Sequence, residues 1–419
     1  MFFSHRCTES TEIKIQSILY RSTGNLKILT CLLNDWPHIL LSSTRGINLK
    51  HPMRKFLQRL LNNWIIRMSN KYSSRPNRRR IHGALNKLYK TIVKTPGKRG
   101  QILEITTSDR FIILSDQHKG ARDFADDFTL AEKNYLKALE RYAVNNFHYI
   151  NLGDSEELWK NLMESIIRHN KKTFEAEKAF INKGMFTKIF GNHDLYWDND
   201  PLAGFNLSRI YGKKIPVYEG AILRMPIGSQ LLDIFLTHGH QGDLQSDGNW
   251  FSKWFVSTIW APLQAYLRIN PNTPAYDNQL KTAHNIMMYS WVATQTNKVL
   301  ITGHTHQPVF ASLTHLERIY LKLQQAKRDN NQEIIATLNA ELVKQTGEGD
   351  KPPRFRKYKP NYFNSGCCCF NDGDITGIEI ENGFIRLIKW SCHKTGHSER
   401  IVLEEMKLEL LIETDLPNR

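Results

Sequence analysis

Cysteine is scarce. There are six in 419 residues, three of them consecutive at Cys367, Cys368 and Cys369, with Cys392 behind them and Cys7 and Cys31 far upstream. Neighbouring residues on a strand point to opposite faces, so this spacing does not make a disulfide framework. A reduced, cytoplasmic compartment is the expectation. Long apolar runs are missing too. Stretches such as 28–33 fall far short of the roughly 20 residues a membrane-spanning helix needs. The N-terminus lacks the basic, apolar and small-residue layout of a secretory leader, so secretion is not expected. With 24 Gly, 15 Pro and 41% hydrophobic residues, the chain is neither collagenous nor wholly disordered. Its length allows a sizeable core.

Acidic residues are rare in the first quarter only. Residues 1–110 hold 21 Lys+Arg against 5 Asp+Glu, while the other 309 residues hold 36 of each, so the net charge of +16 belongs to the N-terminal part. We expect a basic extension over 1–100, with an amphipathic helix near 53–72. Phe56, Leu57, Leu60, Leu61, Trp64, Ile65 and Met68 follow helical spacing there, and Arg54, Lys55, Arg59 and Arg67 supply cations. Arg78, Arg79 and Arg80 follow. Such a helix suits peripheral attachment to an anionic membrane surface, or contact with nucleic acid, and equally an ordinary helix packed on the main domain.

From residue 101 the texture becomes that of an α/β domain, 101–419. Strands are predicted at 102–106, 110–114, 148–152, 185–190 and 298–302, a hairpin at 221–237, and a closing strand pair within 375–390. Helices are predicted at 130–146 and 156–182. Two helical insertions are expected. One, at about 245–292, carries Trp250, Phe251, Trp254, Phe255, Trp260, Leu263, Tyr266 and Leu267 and reads as an apolar lid or a packed excursion. The other, at about 315–347, is a charged hairpin broken near 329–331, with Leu316, Ile319, Leu323, Leu338 and Leu342 either packing on one another or docking a partner.

Five short polar clusters each end an apolar run, where α/β folds place working residues. They are Asp116–Gln117–His118, Gly153–Asp154, Gly191–Asn192–His193–Asp194, His238–Gly239–His240 and Gly303–His304–Thr305–His306. Each alone is weak. Together they offer carboxylate, imidazole and amide oxygen, the donors that hold hard or borderline divalent metals.

In this order the clusters resemble the calcineurin-like metallophosphoesterase superfamily, whose pattern runs DxH, GD, GNH(D/E), H, GHxH. The match spans Asp116–His306, with similar closing strands to about Trp390. The resemblance implies a four-layer α/β/β/α sandwich holding two divalent metal ions, Mn foremost and Fe or Zn otherwise. It implies Asp116, His118 and His306 on one metal, Asn192, His238 and His304 on the other, and Asp154 bridging them. A carboxylate between two cations offsets their repulsion, and water held between them becomes a nucleophile for phosphorus. His193 resembles the family's non-ligand histidine over the phosphate, and Asp194 is expected to orient it. His240 is expected to be structural.

The implied function is hydrolysis of a phosphate ester or pyrophosphate bond. Asp154, Glu157 and Trp159 are spaced like the GDxxExW of UDP-2,3-diacylglucosamine hydrolases, which also carry a helical lid. A phosphorylated small molecule or a lipid-linked or nucleotide-linked substrate is therefore implied. That group usually has Arg where this chain has His193, and lacks the basic N-terminus. A nuclease of the same superfamily and a scaffold without metals are the competing readings; the scaffold is disfavoured because no ligand is missing. The thiols of Cys367–Cys369 read as small residues of a buried strand, or as an additional soft-metal site.

Overall fold

Asn77 opens the first helix of the computed structural model, which describes residues 77–122, 126–242, 278–346, 359–392 and 396–412. All of these belong to the unit Arg54–Arg419 rather than to Met1–Met53. The expected helix at 53–72 and the aromatic part of the first insertion lie outside the described residues. In helix α1 (Arg78–Lys94) the Asn77 side chain accepts from Arg80 N at 3.1 Å, capping a free donor of the first turn. Ile81, Leu85, Leu88 and Ile92 recur on one face and are buried. This helix, inside the expected extension, packs on the α/β domain.

The order then runs β1 (Gly100–Glu104), β2 (Phe111–Leu114), α2 (Glu132–Val144), β3 (His148–Leu152), α3 (Met163–His169), α4 (Lys171–Asn182) and β4 (Phe186–Ile189). Next come α5 (Tyr196–Asn199), α6 (Ala203–Tyr211), β5 (Val217–Tyr218) and the hairpin of β6 (Gly220–Ile227) and β7 (Gln230–Thr237). After α7 (Asn278–Val292) follow β8 (Lys298–Thr302), β9 (Val309–Phe310), β10 (Leu313–Thr314), α8 (His315–Arg328) and α9 (Gln332–Thr346). Strands β11 (Tyr362–Asn364), β12 (Ile375–Glu381), β13 (Phe384–Cys392) and β14 (Ser398–Lys407) complete it.

Among the described residues there are two seven-stranded sheets, ordered β1-β6-β7-β8-β11-β9-β10 and β14-β13-β12-β2-β3-β4-β5. Period-two alternation explains their stacking. Phe111 and Ile113 of β2 enter the core between the sheets with Ile150, Ile234 and Ile301, while Ile112 and Leu114 face α2 with Tyr135 and Leu139. On the other sheet, Ile222, Phe235 and Leu300 turn outward to meet α1 and α7 at Leu85, Ile92 and Trp291. The fold is thus an α/β/β/α sandwich, and central strands such as β2 and β8 are apolar on both faces because both are covered.

Two local expectations change. Residues 156–182 are not one helix: helix begins at Met163 and breaks at Asn170. Glu156 forms a bridge with Lys119, and the Asn170 side chain donates to Gly120 O at 2.7 Å and to Ile166 O at 2.9 Å. Strand β14 went unread because its residues are charged and half-exposed along an edge. The second insertion is a helical pair, capped by the Thr314–Glu317 box, in which Ile319 and Leu323 pack against Leu338 and Leu342. Among the described residues, no helix is long and apolar enough to cross a membrane.

Candidate metal centre

Strands β2, β3 and β4 are mutually parallel, as are β7 and β8, so the loops leaving their C-terminal ends gather at one end of the sandwich. All five polar clusters lie in these loops. Five of the seven residues expected to bind metal have left-handed backbone: Asp116 (φ 54°), His118 (51°), Asp154 (50°), His304 (70°) and His306 (55°). That conformation costs about 1–2 kcal/mol per residue for an L-amino acid, and such sites concentrate where function demands them. Close glycines make the turns feasible. A Cβ on Gly303 would lie 2.4 Å from Ser115 Oγ and 2.5 Å from Asp116 Oδ2, and one on Gly191 would lie 2.2 Å from Asp154 Oδ1.

Asp116, Asp154 and His238 each have one end fixed and the other turned inward. Asp116 Oδ2 accepts from Ser115 Oγ and from His304 N at 3.0 Å, leaving Oδ1 3.2 Å from His306 Nε2. Asp154 Oδ1 accepts from His193 N at 2.8 Å. Its Oδ2 lies 3.1 Å from His238 Nε2 and 3.9 Å from His118 Nε2. His238 Nδ1 donates to Leu152 O at 2.9 Å, which leaves Nε2 as the inward atom. His118 Nε2 lies 3.1 Å from His306 Nε2.

Asp116 Oδ1 and His238 Nε2, and with them Asn192 Oδ1 from the loop after β4, are buried without a hydrogen-bond partner. Buried polar groups are ordinarily satisfied, so three orphans in the donor loops of one centre fit a bound cation. Ligand atoms of Asp154, His238 and His304 lie within 4.8 Å of one another, as do those of His118, Asp154 and His193 and those of His118, His306 and Cys369. The residues therefore fit divalent metal.

The electrostatics agree. Burial alone would raise the Asp154 carboxyl, but the His238 and His193 imidazoles outweigh it and hold the group well below the usual carboxylate range. Burial would lower His238, yet Asp154 and Asp116 push it up to about 9. The carboxylates stabilise positive charge at the centre. His304 is held well below the ordinary value by burial and then by His284 and His238, which keeps it a neutral donor.

Glu157 is the residue that sequence reasoning under-read. Its carboxylate sits between two imidazoles, 3.2 Å from His118 Nδ1 and 3.0 and 2.9 Å from His193 Nδ1. Burial would raise it, but His193 and Lys160 hold it well below the usual range. Trp159 stacks on His193 with ring centroids 4.0 Å apart and planes 20° from parallel. The Asp154–Glu157–Trp159 spacing thus has a mechanical meaning: it orients His193. This corrects the role expected of Asp194. Its buried carboxylate instead accepts from Gly191 N at 2.5 Å, Ser155 N at 2.9 Å and Asp154 N at 3.3 Å, tying two donor loops together. Burial, with Glu156 and Asp154 nearby, pushes it up to about 6.

Behind the loops, a buried set of opposite charges sets their spacing. Lys119 Nζ lies 2.7 Å from Glu177 Oε1 and 3.2 Å from Glu156 Oε1, and Lys188 Nζ lies 2.9 Å from Glu156 Oε2. Helix α7 clamps the remaining loops. His284 Nε2 lies 2.7 Å from Gly239 O, and the Asn285 side chain bonds Gln307 at 2.9 Å and Thr305 at 3.2 Å. Asn364 donates to Gly303 O at 2.7 Å. His240 is buried, with its ring 5.5 Å from that of His238.

Residues 109–308, a little under half of the chain, match the family model of calcineurin-like phosphoesterases. No curated protein matches the chain. Among solved structures, vacuolar protein sorting 29 from Cryptosporidium parvum is 12% identical, with 72% of this chain and 99% of that one covered and a TM-score of 0.29. A single mutant of Vps29 from Entamoeba histolytica is 11% identical over 70% and 99%, with a TM-score of 0.28. A mutant cold-active protein tyrosine phosphatase is 11% identical over 72% and 82%, with a TM-score of 0.30.

Proposed function

We propose that this chain is a metal-dependent phosphoesterase built on the calcineurin-like domain that residues 109–308 match. In this reading Asp116, His118 and His306 hold one divalent cation, Asn192, His238 and His304 a second, and Asp154 lies between them. The observation that carries it is the set of orphaned buried donors, Asp116 Oδ1, Asn192 Oδ1 and His238 Nε2, in the loops of one centre. Two such cations supply Lewis-acid polarisation of a phosphoryl oxygen and an activated water.

The protein's own groups do the rest. Glu157 fixes the Nδ1 proton of His193, so Nε2 is the edge available to substrate. With a second proton on Nε2, the imidazolium donates from there to an equatorial phosphoryl oxygen or protonates the leaving oxygen, and is left as the neutral ring with its proton on Nδ1. Trp159, stacked on the ring, limits its swing and excludes water from one face. Asp154 accepts from the His193 backbone, so the imidazole is anchored to the same loops that hold the donors.

The substrate bond in this reading is a phosphate ester or a pyrophosphate, with a lipid-linked or nucleotide-linked substrate as the more specific proposal. The test is metal content measured together with hydrolysis of a monoester, a diester and UDP-2,3-diacylglucosamine, with Mn and with chelator. Chelator-sensitive cleavage is expected. Cleavage of the lipid nucleotide would support the specific proposal, and cleavage of the simple esters alone would reject it. No metal and no cleavage would reject the enzyme reading in favour of a scaffold.

A further inference from the structure

A neutral imidazole has one N–H, so a ring that offers Nε2 to a cation carries its proton on Nδ1, where a partner must accept it. His238 gives that proton to Leu152 O at 2.9 Å, and His118 gives it to Glu157 Oε2 at 3.2 Å. The third ring, His306, has Nε2 at 3.1 Å from His118 Nε2 and at 3.2 Å from Asp116 Oδ1, which is buried and has no hydrogen-bond partner. Its Nδ1 lies 3.7 Å from Cys369 Sγ. Cys369 is a free, buried thiol, and backbone bonds hold it in place. Cys368 N donates to Ser115 O at 3.1 Å and to Asp116 O at 3.2 Å, while Ser365 N donates to Thr302 O at 2.9 Å. The segment after β11 is thereby tied to both loops that supply Asp116 and His306.

We propose that Cys369 is a positioning residue for His306: its sulfur accepts the Nδ1 proton, so that Nε2 keeps its lone pair for the cation held with Asp116, His118 and Asp154. The sulfur meets the other nitrogen of the ring and is not itself a ligand. Sulfur is a weaker acceptor than a carboxylate or a carbonyl. His306 is therefore the least firmly oriented of the three rings. It also serves one cation only, so the loss of its partner falls on one of the two metal positions. Cys368, next in the chain, does something else. Its side chain packs with Ile112, Leu114 and Trp390 beneath the helical layer, with Sγ 3.9 Å from Thr376 O. Adjacent thiols thus separate the orientation of a ligand from the packing of the core.

This assignment rests on the two-metal reading of the site. The test is calorimetric titration of the metal-free full-length protein with manganese(II) chloride, with urea denaturation in parallel. The variants are C369A, C369V, C369N, C368A and C367A. Val fills the space without an acceptor, whereas the Asn amide oxygen reaches further than sulfur and can accept the Nδ1 proton. The wild type should bind two Mn ions, one of them about 10–100-fold more weakly in C369A and C369V, with the affinity regained in C369N. C368A should keep both affinities and lose stability in urea, and C367A should keep both affinities. Wild-type affinities in C369A or in C369V overturn the positioning role and leave the two-metal reading standing. A C369N variant as weak as C369A overturns it as well. Selective loss in C367A but not in C369A overturns the assignment to Cys369. A wild type that binds no Mn overturns the two-metal reading and this proposal with it.

Discussion

Replacing Glu157 by Gln removes one charge and nearly no volume, and the consequence can be worked from the geometry. The carboxylate accepts the Nδ1 protons of both His118 and His193, at 3.2 Å and at 3.0 and 2.9 Å. Both rings meet the same oxygen, Oε2, at 3.2 Å from His118 and 2.9 Å from His193, so an amide oxygen in that place keeps both bonds through its two lone pairs. Its NH₂ then takes the Oε1 position, 3.0 Å from His193 Nδ1, and sets a donor against a donor there, while the negative charge shared by the two imidazoles is gone. Loss of a partner of this kind typically costs 10–100-fold in metal affinity or activity, about 1.4–2.7 kcal/mol. We expect E157Q to fall by roughly that factor in turnover on a chromogenic diester and to bind Mn more weakly by calorimetry. In a His193→Ala background the turnover part of the E157Q effect should vanish, leaving the part transmitted through His118. Wild-type turnover together with wild-type Mn affinity in E157Q would refute the reasoning.

Other expectations are more local. His193→Ala should retain its metals and lose about 10²–10⁴-fold in turnover, the usual worth of a positioned acid or base; near-normal turnover would remove the residue from the mechanism. Lys119→Met leaves Glu177 and Glu156 short of a buried cation and should cost about 3–5 kcal/mol in urea denaturation, and a loss below about 1 kcal/mol would contradict the buried network. Burial pulls His148 down to about 4 from its ordinary 6.5. The fold holds it neutral and unfolding lets it protonate, so its stabilising share is present above 6.5 and is lost as pH falls from there toward 4. Between pH 7 and pH 5 that amounts to roughly 2 kcal/mol by proton linkage. H148Q should flatten this part of the stability-against-pH curve, and an unchanged slope would count against it.

The centre was legible because each donor cluster is contiguous and directly follows an apolar strand. A short turn after a strand leaves local sequence in control of which side chains face the strand ends. The layers were legible for the same reason, since runs such as FIIL and KVLIT are apolar on both faces only when both are covered. What could not be read depended on partners remote in sequence. Glu157 stood out by spacing alone, and only the fold shows it shared by His118 and His193. Asp194, adjacent to His193, suggested a partner by proximity, but the tight turn sends its carboxylate to backbone N–H groups instead. Helix was expected from 156 because its residues suit one, while the buried ion pairs of Glu156 hold the chain extended. Cys369 meets His306 only because β11 runs beside β8.

The most direct test of the central claim is metal stoichiometry of the purified full-length protein and of Asp154→Ala, by elemental analysis after Mn loading and desalting. The account predicts two divalent ions per wild-type chain, with the pair lost when the carboxylate between them is removed. A wild type that retains no metal, or an Asp154→Ala variant that retains two, would contradict it.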